Sequence, residues 1–439
     1  MRILTLGGKM LTGYLREDGN QVMSLGPPGS IRHPLDRETD FFQSPESARA
    51  DFHGLVESFR PDWILQVDDS TPIPHMGLES LRIPKAWFAV DSHIHWEWHR
   101  HYAPVFDIVF CAQKKHVPVL GAFQARVEWL PLSFTDTEAE FLPWAAREHD
   151  ASFVGTLDIA LNPGRVRLLD EMKSRGLPIL VKQGDTRSVY RNSRVVINQS
   201  ANDDLNFRFF EAIGYGALLV TDRISHSLPD MGEPGVDFLV YAPGDADDLH
   251  AKVGWALEHP AESEAMARRA QAKILKSHRI SHRILRIRDA FSGADASPVP
   301  NPFVSDPGRV LGHLAAAHEH LSRLSLPEPL VEFMADEARR LALAALQSAP
   351  HEPWSSLVLA QLELEKGAFA EAFRWLENAG AEEGDEGYRR SYRILKALLL
   401  AHSGRLLEAR QAAFAGLREF PGDANLEKLS AYLAQARGA

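Results

Sequence analysis

Ten short apolar runs constrain this chain more than any other feature. They are Arg2–Leu6, Trp63–Val67, Ala86–Val90, Ile108–Cys111 and Val127–Leu130, then Ala151–Val154, Ile179–Val181, Val195–Asn198, Ala217–Val220 and Phe238–Tyr241. Most are solidly apolar rather than alternating, and Pro, Gly or Asp bounds them. Strands buried on both faces of a parallel sheet read this way. Helical patterns separate them at Asp51–Phe59 (closed by Arg60-Pro61), Arg165–Arg175, Asn206–Tyr215 and Asp245–Leu257, the last with Asp245 as its cap. A charged, irregular stretch at Thr135–Asp150 divides the runs into two sets of five. The expectation is an α/β protein with two doubly wound units facing each other, and a ligand cleft outside the carboxyl ends of the strands.

The chain has 439 residues, enough for a third unit. Ser297-Pro298-Val299-Pro300-Asn301-Pro302 reads as a linker. Beyond it, Ala360, Gly367, Phe369 and Ala372 are echoed by Ala397, Gly404, Leu406 and Ala409. Ala338 precedes Pro350, and Ala409 precedes Pro421, by the same interval. Small residues for close helix packing, Gly at a turn and Pro at a helix end resemble tetratricopeptide repeats, with a closing helix from Asn425 on. The expected units are 1–134, 150–292 and 308–439, the last an all-α helical-repeat domain that binds a protein partner.

A net charge of −11 and the lack of a Lys/Arg run argue against general nucleic-acid binding. Cys111, the single cysteine, excludes an internal disulfide and fits a cytoplasmic protein. No apolar stretch has the roughly 20 residues of a membrane span, and MRILTLGGKM reads as a first strand and turn, not a secretion signal.

The chemistry concentrates at strand ends. Asn206-Phe207-Arg208-Phe209-Phe210-Glu211 opens a short helix after a polar loop, and Gly214 and Gly216 close it into the next strand. A helix N-terminus offers free N–H groups and positive potential, Arg208 a fork for phosphate, and Glu211 two acceptors for a sugar diol. Gly155 with Arg165, and Lys182 with Gly184, occupy similar ends in the same unit. In the first unit, Asp91-Ser92-His93-Ile94-His95-Trp96 follows a strand. Asp91, His93 and His95 are candidate general bases, and Trp96 offers a face for a sugar. The His93/His95/His99 spacing fits a metal site poorly. Gly7-Gly8 reads either as a turn that lets substrate approach the backbone or as a plain tight turn, without a dinucleotide fingerprint. Asp68-Asp69 caps or lines the cleft.

Trp87–His93, Phe106–Lys114, Trp129–Leu132, Phe153–Gly155, Tyr190–Ser193, Ile197-Asn198, Asn206–Asp222 and Ser277-His278, in this order, resemble the CgeB-like (spore-maturation-type) branch of GT-B glycosyltransferases over roughly residues 1–290. The resemblance implies two Rossmann-like domains, with a UDP- or GDP-linked sugar held mainly by the second. It assigns Glu211 to the ribose and puts an acidic residue eight positions earlier, here Asp203, near the donor sugar. Arg208, Lys182 and Arg165 are left to neutralise the diphosphate without a metal or other cofactor. The acceptor is then a protein or saccharide. A nucleotide-sugar epimerase and a degenerate, non-catalytic scaffold are the alternatives.

Overall fold

The computed structural model describes residues 1–7, 9–68, 73, 76–124, 126–136, 139–292, 306–381 and 383–435. Gly8, Asp69 and the Ser297–Pro302 linker lie outside them.

The first unit runs β1 (Arg2–Leu6), α1 (Lys9–Glu17), β2 (Gln21–Gly26), β3 (Arg37–Glu38), α2 (Pro45–Phe59), β4 (Trp63–Asp68), β5 (Lys85–Ala89), α3 (Ser92–Tyr102), β6 (Ile108–Cys111), α4 (Val117–Gly121) and β7 (Val127–Trp129). Its strands form one parallel sheet in the order β3-β2-β1-β4-β5-β6-β7. The five expected strands are present within a residue or two. β2 and β3 were not expected. β2 is short and interrupted by Ser24, and what makes it a strand is its pairing with β1, from Arg2↔Gln21 to Leu6↔Leu25. Helix α2 starts at Pro45, six residues before the expected Asp51. Pro suits a first helical turn, and Ala48, Phe52, Val56 and Phe59 make one buried stripe from there.

The second unit runs β8 (His149–Val154), α5 (Pro163–Ser174), β9 (Ile179–Lys182), α6 (Thr186–Arg191), β10 (Ser193–Asn198), α7 (Phe207–Gly214), β11 (Leu218–Asp222), α8 (Leu228–Met231), β12 (Leu239–Tyr241), α9 (Ala246–Glu258) and α10 (Pro260–Ser277). Its sheet is also parallel, ordered β12-β11-β10-β8-β9. Asp245 caps α9 as expected, accepting from Asp247 and Asp248 N–H at 3.0 Å each. The next helix, α11 (Ile280–Ser292), crosses back to the first unit: it packs on α1, and Phe291 stacks on Trp63 at 4.0 Å.

The tail is all-helical: α12 (Pro307–Ser322), α13 (Glu328–Ser348), α14 (Pro353–Glu365), α15 (Phe369–Ala379), α16 (Glu386–His402), α17 (Leu406–Glu419) and α18 (Ala424–Gln435). Gly367 and Gly404, at φ of +72° and +81°, make the turns after α14 and α16, a conformation that costs glycine little. Ala360, Ala372, Ala397 and Ala409 are fully buried where helices meet. The α12–α13 hairpin shares one core with the first unit, in which Leu314, Leu330 and Met334 join Phe52, Trp98 and Tyr102. Polar contacts reinforce it, with Arg49 pairing with Glu337 at 2.9 Å and His101 Nδ1 lying 2.9 Å from His313 Nδ1. Among the described residues no helix is long and apolar enough to cross a membrane.

Candidate functional site

Both sheets turn their carboxyl ends toward one junction. From the second unit come the loop after β8, the end of β10 and the start of α7. Asn206 caps α7, its side chain accepting from Phe209 N–H at 3.3 Å, which leaves the first N–H groups of the helix unused by that cap. Arg208 then bends back over the sheet edge. Its Nε donates to Val154 O (2.9 Å) and its Nη1 to Asn198 Oδ1 (2.7 Å) and Gln199 O (3.4 Å). Arg165, from the first turn of α5, donates to Thr156 O (3.3 Å) and Gln199 O (3.1 Å). Both guanidiniums lie over the buried Phe153 ring, at 4.4 and 5.5 Å from its centre. Burial, then the charge of Arg208, hold the Arg165 pKa below its usual value.

Their named hydrogen-bond acceptors are neutral, and among the described residues neither forms an ion pair. Asp204 and Asp222 act on Arg165 from farther off. Asp222 is occupied by Ser200, through N–H at 2.8 Å and Oγ at 2.6 Å, and Asp204 accepts from Ala201 N–H. Two adjacent cations without a paired anion, beside a helix N-terminus, make an anion site suited to a diphosphate. Gly155 belongs to it sterically: a Cβ there would lie 2.3 Å from Arg208 Nη2.

Glu211 stands one turn along α7 from Arg208. Thr186 donates to its Oε1 at 3.0 Å, and burial raises its pKa. Lys182 and Gly184 are exposed at the end of β9. Gly184 has φ +100° and open space at its Cβ position, and the Lys182 carbonyl accepts from Gly155 N–H at 3.1 Å. Among the described residues neither is a hydrogen-bond partner of Arg165 or Arg208.

Asp203 is placed differently from the sequence expectation. It was assigned by counting back eight positions from Glu211 as a residue facing the donor sugar. The backbone is left-handed at Asn202 and Asp203 (φ 54° and 64°). That turn carries the Asp203 carboxylate to Lys115 of the first unit (2.9 Å) and to the N–H and hydroxyl of Ser225. Its neighbour Asp204 is buried and faces His93 across the junction instead, at 3.9 Å.

From the first unit, the histidine-rich segment is helix α3. Asp91 is its N-cap residue, 4.0 Å from His93 Nδ1. Burial pushes the His93 imidazole down to about 4, and lowers His95 as well, so both are neutral at pH 7. Beneath them His99 is clamped between Ser92 Oγ (3.1 Å) and Asp68 (3.1 Å). Trp96 points elsewhere: the Arg100 guanidinium lies 5.4 Å over its ring and also covers Phe123 and Trp354, which draws Trp96 toward the tail junction. Gly7 has φ +69°, and a Cβ there would meet Val67 O at 2.8 Å, so the turn after β1 requires glycine.

The residues that sequence reasoning missed lie on the loop after β6. Gln113 accepts from Leu205 N–H (2.9 Å) and donates to Leu205 O (3.4 Å), and Lys114 pairs with Asp230 at 2.7 Å. Among the described residues no cluster of three or more His, Cys, Asp or Glu is arranged to hold a metal ion.

Two facing parallel α/β sheets of Rossmann-like type define the GT-B architecture. Residues 151–289 match the family model described as "Glycosyl transferase-like". The match lies mainly in the second unit and spans about a third of the chain. No curated protein sequence matches it. Among solved structures it is similar to Anabaena HepE in complex with UDP, at 13% identity and TM-score 0.51, covering 66% of this chain and 100% of that one. The UDP-glucose complex of HepE gives 13%, 0.51, 66% and 99%. A glycosyltransferase from Rickettsia africae ESF-5 gives 9%, 0.50, 66% and 97%. At such identities the likeness is one of fold.

Proposed function

We propose that this chain moves a sugar from a nucleotide sugar, UDP- or GDP-linked, to a protein or saccharide acceptor, and that its tail, read as tetratricopeptide-like, recruits the acceptor or a partner. The observation that carries the reading is the Arg165–Arg208 pair over Phe153, two cations with neutral hydrogen-bond partners at the sheet edge. Glycosyl transfer breaks the anomeric C–O bond while negative charge builds on the leaving diphosphate. Preorganised guanidiniums and helix N–H groups stabilise that charge, so the transfer is proposed to need no metal. Glu211 takes the ribose hydroxyls. The neutral His93, backed by Asp91 and facing Asp204, stands where an acceptor hydroxyl would lose its proton. HepE, whose fold this chain shares, is described in complex with UDP and with UDP-glucose, which supports a nucleotide-sugar donor, and the CgeB-like motifs point the same way.

The test is release of nucleoside diphosphate from a panel of UDP- and GDP-sugars, with Glu211→Gln alongside. The reading expects one donor to be consumed and the variant to need a several-fold higher donor concentration. Interconversion of the donor to its epimer without diphosphate release would replace it with the epimerase reading.

A further inference from the structure

Between α3 and the concave side of the tail lies a cavity of about 430 Å³ that the proposed transfer does not use. Leu357 and Val358 of α14 and Leu395 and Leu398 of α16 give it an apolar floor, and Arg100 forms one wall. The Arg100 guanidinium sits among three rings, 5.4 Å from Trp96, 5.8 Å from Phe123 and 5.6 Å from Trp354. Among the described residues its one hydrogen bond runs from Nε to Glu97 O (3.3 Å), and no carboxylate lies within ion-pair distance. Asp385 and Glu97 act on it from farther away.

A guanidinium has five N–H donors, and among the described residues only Nε–H of Arg100 meets a protein acceptor. Of the other groups on the wall, Arg323 pairs with Glu319 at 2.8 Å, and Glu97 lies 3.5 Å from His320, an imidazole that burial keeps neutral. The tail leaves room for the guanidinium: a Cβ at Gly387 would lie 2.3 Å from Arg100 Nη1. Aromatic faces replace only part of the water a guanidinium loses on burial. A planar carboxylate brought from outside would supply the missing fork.

We propose that this cavity binds an acidic, aliphatic peptide segment, one carboxylate forking onto Arg100 and a neighbouring aliphatic side chain resting on the leucine-rich floor. The inference rests on reading the chain as a transferase that recruits a protein. It also sets a distance. Along helix α3, His93 at the cleft and Arg100 at this cavity are separated by a rise of roughly 10 Å, the span of about three extended residues. An anchored acceptor would therefore be modified about three residues from its acidic anchor.

The test is fluorescence anisotropy on the full chain with labelled ten-residue peptides that alternate leucine with aspartate, lysine or serine. The aspartate peptide is expected to bind at least tenfold more tightly than the other two. Arg100→Met should erase that preference. Ile394→Glu, on the opposite wall and remote from the catalytic cleft, should weaken binding at least tenfold. Equal binding of the three peptides, an aspartate peptide indifferent to Ile394→Glu, or tighter binding of an anionic oligosaccharide would each overturn the proposal. UDP titration of the same samples reports on the donor site separately, and both variants should match the wild-type chain in it.

Discussion

Gly155 shows how little slack the donor edge has. Its backbone could accept any residue, yet its Cβ position is taken by Arg208 Nη2, 2.3 Å away, with Phe153 close behind. Gly155→Ala must push the guanidinium off the sheet edge. Losing one preorganised donor to a developing oxyanion typically costs about 100- to 1000-fold in rate. The expected result is a kcat/KM for donor consumption lowered about 100-fold, with a melting temperature within a few degrees of wild type. A large fall in melting temperature with normal kcat/KM in the folded fraction would mean that the glycine serves packing instead. Arg165, Arg208, Gly155 and Glu211 stand out in the sequence because each lies on a strand–turn–helix step whose geometry is local. For Asp203 position in a motif fixes the chain, but the left-handed turn at Asn202 and Asp203 decides where the carboxylate goes. Gln113 and Lys115 were invisible because their partners lie 92 and 88 residues away.

At the scale of elements, two helices do more than their sequences announced. Helix α3 joins the cleft at one end to the tail at the other, through His93–Asp204 and His101–His313. Helix α12, read from sequence as part of a separate module, packs both on α13 and α14 of the tail and on α3 of the first unit. Val310, Leu314, Ala317 and Leu321 are buried in the core shared with α2 and α3. Leu314→Ala should therefore destabilise the first α/β unit along with the tail, by about 2–5 kcal/mol. Denaturant unfolding followed by the first unit's tryptophans and by helical circular dichroism should shift together. If only the helical signal shifts, the tail folds independently. Ten of the twelve strands were readable as short apolar runs bounded by Pro, Gly or Asp, while β2 and β3 lack such runs. Docking of the tail was not, because an amphipathic helix does not state which surface it covers.

The whole molecule is held closed by contacts between the units. Besides Gln113–Leu205, Lys115–Asp203 and His93–Asp204, buried Arg283 of α11 grips Pro131 O (2.6 Å) and Leu132 O (2.9 Å). Many of the buried groups are imidazoles that burial keeps neutral. His93, His116, His278 and His320 are held near 4, and His99 and His313 near 3. The unfolded chain protonates each near 6.5. As pH falls from about 6.5 toward 4 it binds more protons than the folded chain, and stability drops by up to about 1.4 kcal/mol per pH unit for each group. Glu319, pushed up to about 7 by burial, acts in the opposite sense between 7 and 4.5, and so do Asp204, Glu211, Asp222 and Glu352, whose carboxyls burial also raises; His95, His101 and His226, which burial lowers, add to the imidazole side. The denaturant midpoint should be clearly lower at pH 5 than at pH 7.5, and an equal or higher midpoint at pH 5 would contradict this arrangement.

The central claim is that Arg165, Arg208 and the start of α7 hold the diphosphate of a nucleotide sugar. Calorimetric titration of UDP and GDP into the wild-type chain and into the Arg165→Met/Arg208→Met double variant tests it most directly. The account predicts one site on the wild-type chain for at least one of the two nucleotides, and affinity at least 100-fold weaker in a variant that still melts cooperatively. Undiminished binding by the folded variant, or no binding of either nucleotide by the wild-type chain, would contradict it.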